Sequence, residues 1–188
     1  FFNALNFNND VSSWNVSNVT NMGYLFCLNP IFNSDLSQWD VSKVTNMKAM
    51  FALASAAWPD GSLFNSDLSA WDVGRVTDMS SMFVNTGQFN SNVSKWNTSS
   101  VTNMNSMFQD ASSFDSDISR WNVSSVTDMQ YMFLRATEFN QDLTRWCVNL
   151  IPSAPNNFSH ESALSAENIP QWGVCPPPEP EPEPEPEP

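Results

Sequence analysis

The side chains that could do chemistry in this chain are few, and several of them fall in a row. An aspartate recurs at one place of a repeating pattern, as Asp10, Asp35, Asp67, Asp117 and Asp142, with Asn92 in the remaining copy. If the copies stack, these side chains form a line of carboxylates, which is costly unless each oxygen accepts an N–H or meets a cation. Three chemistries suit such a line. Asp and Asn can satisfy turn amides as a capping ladder. Their hard oxygens can bridge calcium between neighbouring copies, the one cofactor the sequence leaves open. A pair of carboxylates can serve as acid and base of a glycosidase, although nothing singles out one copy from the next.

Other chemistry is sparse. His160, the one histidine, reads as a polar surface residue, and the five glycines form no phosphate-binding loop. No Cys or His pair has zinc spacing, so neither a metal site nor an enzyme is expected. Cys147 and Cys175 are expected to form a disulfide, leaving Cys27, beside Phe26, as a buried thiol that behaves as a small hydrophobe.

The elements that would position these groups repeat. Trp14, Trp39, Trp71, Trp96, Trp121 and Trp146 are 25, 32, 25, 25 and 25 residues apart, and Phe7, Phe32, Phe64, Phe89, Phe114 and Phe139 each stand seven places earlier. A fixed period of this length signals stacked repeat units. In the second copy, Leu36-Ser-Gln-Trp39-Asp-Val41 puts Trp39 and Val41 two apart, as on one face of a short strand. Later in the unit, Val126, Met129, Met132 and Phe133 recur at helical spacing, with Ser125 or Thr127 as its cap. The methionines read as packing residues. The expected fold is an α/β solenoid, leucine-rich-repeat-like, with coils of ~25 residues, each a short parallel strand plus a short helix.

The solenoid is expected over 1–146, a C-terminal capping segment over 147–175 with Phe158, Leu164 and Ile169 covering the last coil, and a Glu-Pro polyproline II linker over 176–188. One copy carries seven extra residues within 52–63, including the turn signal Trp58-Pro59-Asp60-Gly61. The chain opens at Phe1, six residues before Phe7, as Phe26 precedes Phe32 and Phe108 precedes Phe114. It is therefore expected to start within a repeat, as a fragment of a longer protein.

A formal charge of −13 with only seven Lys and Arg argues against binding nucleic acid or anionic lipid. No apolar run is long enough to span a membrane. Six Asn-x-Ser/Thr sequons, at Asn15, Asn18, Asn92, Asn97, Asn122 and Asn157, are candidate N-glycosylation sites. Together with the paired cysteines they point to a secreted setting.

The motif Asp-Leu-Ser-x-Trp-Asp-Val-Ser-x-Val-Thr-Asn-Met-x-x-Met-Phe resembles the BspA-like leucine-rich-repeat surface proteins, in the variant first catalogued in mycoplasmas as a domain of unknown function. The resemblance implies an extracellular or cell-surface protein that mediates adhesion or ligand binding without catalysis. It supplies no ligand residues.

Those have to come from what varies. The residues flanking each Trp should face the concave side: Ser13 and Asn15, Gln38 and Asp40, Ala70 and Asp72, Lys95 and Asn97, Arg120 and Asn122, Arg145 and Cys147. Gln38, Asp40, Asp72, Lys95, Arg120 and Arg145, with Trp58 on the inserted loop, are the candidate ligand-binding residues. The expected partner is an extracellular protein or glycan. The alternatives are a structural cell-wall or matrix spacer and ice binding through the recurring Thr20, Thr45, Thr77, Thr102 and Thr127.

Overall fold

A computed structural model of the chain describes residues 1–54, 58 and 61–177. Each repeat in it is a run of tight turns. In the unit of Trp121, i→i+3 bonds link Trp121 N–H to Ile118 C=O (3.0 Å), Val126 to Val123 (3.0 Å), Met132 to Met129 (3.3 Å), Leu134 to Tyr131 (3.1 Å), Ala136 to Phe133 (3.1 Å) and Phe139 to Ala136 (3.1 Å). The units lie on one another as tiers, each named here by its tryptophan.

The expected strand-plus-helix coils do not form. Among the described residues the one helix is a 3-10 turn, Ala166–Asn168, and the only strand-type pairing is a line of isolated parallel bridges joining Asn21, Asn46, Asp78, Asn103 and Asp128. The reason lies in where the amides go. Met104, Ser106, Phe108 and Asp110 donate to the carbonyls of Asp128, Gln130, Met132 and Leu134 in the next tier, at 2.8–2.9 Å. The amides between them, of Met107, Gln109 and Ala111, close turns onto Met104, Ser106 and Phe108. A helix would send every one of these amides to i−4 within its own segment. Instead the chain crosses to left-handed φ every fourth residue, at Ser106 and Asp110, Tyr131 and Arg135, Tyr24 and Leu28. Successive turns reproduce the i, i+3 recurrence of methionines that a helix would show. The strand fails for a related reason: the Trp amide is spent on a turn to the residue three before it.

The apolar residues form ring columns through the tiers. Phe108 lies 3.8 Å from Phe114 within its tier and 5.6 Å from Phe83 and 5.8 Å from Phe133 in the tiers on either side, all with near-parallel planes. Trp71, Trp96 and Trp121 stack at 6.5 and 6.1 Å. From Trp39 to Trp146 the indole Nε1–H of each tier donates to a carbonyl of the preceding one, as Trp96 does to Leu68 and Trp146 to Ile118. The columns, the methionines and the valines make one buried core. Full burial of each such side chain contributes about 1.5–3 kcal/mol.

The inserted segment folds back on its neighbours. Ser62 N–H donates to Asn85 C=O, Leu63 N–H to Pro30 C=O, and Asn85 Nδ2 to Trp58 C=O. Gly61 has φ +75°, and a Cβ there would sit 2.8 Å from the Asn85 carbonyl oxygen, so only glycine fits. Pro59 and Asp60 of the expected turn, and residues 178–188 of the expected linker, lie outside the described residues.

The segment after Trp146 holds the register of the tiers with different residues. Phe158 stands 25 places after Phe133 and Leu164 25 after Phe139, and both are buried. Phe133 N–H donates to Phe158 C=O, and Ser165 N–H to Asn140 Oδ1. The Phe158 ring is turned 90° to Phe133, and Trp172 lies edge-on to Phe158 at 83°. Pro152 occupies the place of Thr127 one tier on, without an N–H. Cys147 and Cys175 are disulfide-bonded across this segment, and Cys27 is free and buried.

Candidate functional site

The carboxylate row resolves into turns. The Oδ1 of Asp10, Asp35, Asp67, Asn92, Asp117 and Asp142 accepts the N–H two residues on, at 2.9–3.1 Å. Such Asx turns let a short polar side chain stand in for a backbone carbonyl. The hydroxyls and amides of Ser119 and Thr144 hold Asp117 and Asp142 below the usual carboxylate range, and Ser12 does the same for Asp10. For Asp67 the Ser69 amide is the larger cause.

A second Asx turn follows each Trp. Asn15, Asp40, Asp72, Asn97 and Asn122 accept the N–H of Ser17, Ser42, Gly74, Ser99 and Ser124. Asp40 also takes the Ser42 hydroxyl at 2.6 Å, which lowers its pKa. So Asp40 and Asp72, expected on a ligand face, each have one oxygen committed to the fold. A third turn sits at Asn21, Asn46, Asp78, Asn103 and Asp128.

Two further rows tie tier to tier. Asn8, Asn33, Asn65, Asn90, Asp115 and Asn140 each accept, through Oδ1, the amide of the equivalent residue in the next tier, ending on Ser165. Thr45, Thr77, Thr102 and Thr127 each donate both N–H and Oγ1–H to the preceding Thr carbonyl. They cap no helix. The Asn ladder went unread in the sequence. Its signal was present: an Asn or Asp directly after each phenylalanine of the seven-before-Trp set.

Lys95, Arg120 and Arg145 are exposed, each one residue before a buried Trp in three consecutive tiers. Ser119, Arg120, Trp121, Asp142 and Arg145 line a cleft of about 480 Å³. Arg120 lies close enough to Asp117, and Arg145 to Asp142, to help hold those carboxyls ionised. Gln38, exposed at the same place two tiers before Lys95, turns its Nε2 to Ser37 Oγ. Trp58 is half-buried on the inserted segment and is not brought to the cationic row. Arg135 is spent on Asp110, bonding both its oxygens.

The sequons fall into two settings. Asn15, Asn92, Asn97 and Asn122 hold the hydroxyl of their own sequon Ser at 2.7–2.8 Å. Asn18 accepts from Lys43 Nζ at 2.7 Å, and Asn157 is exposed with φ +48°. Among the described residues, no group of three His, Cys, Asp or Glu is placed to hold a metal ion, and no helix is long and apolar enough to cross a membrane.

Tiers of identical turns, joined by side-chain and backbone ladders at one period, define a tandem-repeat protein. The family described as Mycoplasma protein of unknown function, DUF285, matches residues 1–60 and 55–172, and the chain belongs to it. No curated protein and no solved structure matches.

Proposed function

We propose that the chain is a non-catalytic recognition module of the BspA-like kind, working at the cell surface or outside the cell. The observation that carries this reading is a division of labour. Residues that recur, the Phe, Trp and Met columns and the Asx and Thr ladders, are consumed by the fold. Residues that change from tier to tier at the place before each Trp, from Gln38 and Ala70 to Lys95, Arg120 and Arg145, stand on the surface. Variation on an invariant frame is what partner discrimination requires.

A protein and glycan array probed with the chain, with and without calcium, tests the proposal. Retention that is lost when Lys95, Arg120 and Arg145 are reversed to Glu is the expected result. Absence of any retention in either condition would favour the second reading, a structural spacer. That reading draws on the unbroken ladder from Asn8 to Ser165, which stiffens the stack whether or not anything binds it.

A further inference from the structure

We infer that the row of Lys95, Arg120 and Arg145 takes an acidic polysaccharide lying along the stack, its carboxylate or sulfate groups meeting one cation per tier. This rests on the recognition reading above and names its ligand class.

The first ground is clustering. The chain has seven Lys and Arg against a formal charge of −13, yet three of the seven fall at one register position in adjacent tiers. In the tier of Lys95 the aspartate that elsewhere precedes the Trp by four is replaced by Asn92, which still makes the turn. The turn is preserved and the charge beside Lys95 is removed. In the next two tiers Asp117 and Asp142 keep their charge near Arg120 and Arg145, each with one oxygen bound by a turn amide.

The second ground is periodicity. Trp96 and Trp121, the residues following Lys95 and Arg120, are 6.1 Å apart and nearly parallel. Lys95 and Arg120 thus belong to tiers stacked directly on one another, with Arg145 in the tier after, and a ligand engaging all three must carry several charges along its length. Guanidinium groups suit carboxylate and sulfate because their planar forks donate two N–H bonds to two oxygens.

The third ground separates a glycan from an acidic peptide. Beside the row, the Ser94 and Thr144 hydroxyls already donate to Asn92 and Asp142, and the Asn97 and Asn122 Oδ1 atoms are taken by their turns, which leaves hydroxyl lone pairs and the two Asn Nδ2 groups to pair with sugar hydroxyls. The large exposed apolar side chains among the described residues, such as Phe2, Leu63 and Leu150, lie outside the turns Val93–Trp96, Ile118–Trp121 and Leu143–Trp146. Protein partners are usually anchored by apolar or aromatic side chains in pockets, which this row does not offer.

Titration of the full chain with polygalacturonate, dextran sulfate, uncharged dextran and poly-glutamate, in low salt and in high salt, tests the inference. One or both acidic polysaccharides should bind in low salt and be released in high salt, with dextran silent; which one binds separates carboxylate from sulfate. Lys95→Gln, Arg120→Gln and Arg145→Gln should each weaken binding about two- to fivefold, as exposed ion pairs do, and the triple variant should lose more than tenfold. Arg75→Gln, an exposed cation off the row, should leave binding unchanged, and melting temperatures of all variants should match the parent. Three outcomes overturn the inference: no acidic polysaccharide binds, the triple variant binds as the parent does, or poly-glutamate binds as tightly as the polysaccharides. If an array ligand is lost in the triple variant while neither polyanion binds, the recognition reading stands and only the ligand class falls.

Discussion

The indole of Trp121 donates its Nε1–H to the carbonyl of Val93, 28 residues earlier and one tier below, at 3.0 Å. The same bond joins Trp39 to Val11, Trp71 to Leu36 and Trp96 to Leu68. Each of these tryptophans is thus both a core ring and a rivet between tiers. Trp121→Phe keeps most of the ring but strands a buried carbonyl and opens a gap, costing about 2–4 kcal/mol in urea unfolding. Trp14→Phe should cost less than about 0.5 kcal/mol, because Trp14 is 41% exposed. Equal losses at the two positions would contradict the riveting role.

The Asn ladder makes a second prediction. Asn90 Oδ1 accepts the Asp115 amide, and Asp115 Oδ1 accepts the Asn140 amide, so either side chain serves provided its oxygen is there. Asn90→Ala should destabilise by about 1 kcal/mol, and Asn90→Asp by less than about half of that. Chemical denaturation of the two variants measures the difference.

Left-handed backbone gives the opposite sign. Ser81 has φ +59°, a conformation that costs a non-glycine residue about 1–2 kcal/mol. Glycine carries no such cost but loses more chain entropy on folding, about 0.5–1 kcal/mol. Ser81→Gly is therefore expected to raise stability by about 0.5–1 kcal/mol. A lower melting temperature for that variant would show that the Ser81 side chain contributes more than its strain.

The disulfide closes a loop between positions 28 apart. For that length, chain-entropy reasoning assigns about 3–4 kcal/mol. Replacing both Cys147 and Cys175 with Ser should lower the free energy of unfolding by that amount in urea titration, and a reducing agent should do the same to the parent. Unfolding of the last tier ahead of the rest would appear as a separate transition.

The turn carboxylates set the pH response. Ser119 and Thr144 hold Asp117 and Asp142 below their unfolded value, so both bind protons less readily when folded. Their contribution is fully present above about pH 4, the usual Asp value, and is lost as pH falls through the depressed folded values. The urea midpoint should be flat from pH 7 to 5 and decline below pH 4. The double variant Asp117→Asn and Asp142→Asn, which copies the natural Asn92, should decline less.

Much of the organisation was legible in the residues. The Trp and Phe spacing located the six tiers that carry a tryptophan, Met and Val were read as core, the Cys147–Cys175 pair was anticipated, and Asp or Asn was weighed as a turn ladder. The secondary structure was not legible. Met129, Met132 and Phe133 keep the same spacing in a helix and in overlapping turns, and nothing about Tyr131 or Arg135 as residue types announces a left-handed φ. What separates the two is the destination of alternate amides, a relation between residues 24 apart. The register of the last segment was hidden for another reason. Phe158 and Leu164 keep the period, but the tryptophan that marks every other tier is absent, with Gln171 in its place.

The perpendicular ring of Phe158 has a meaning for solubility. A column of parallel rings flanked by unpaired amides and carbonyls is a template on which any similar chain could continue to add, the hazard of every exposed sheet edge. Phe158 turns its edge to that column, Trp172 packs crosswise upon it, and Pro152 brings no amide to extend the Thr line. With its rings crossed and an amide missing from the Thr line, this segment is a poor seed for end-to-end polymerisation.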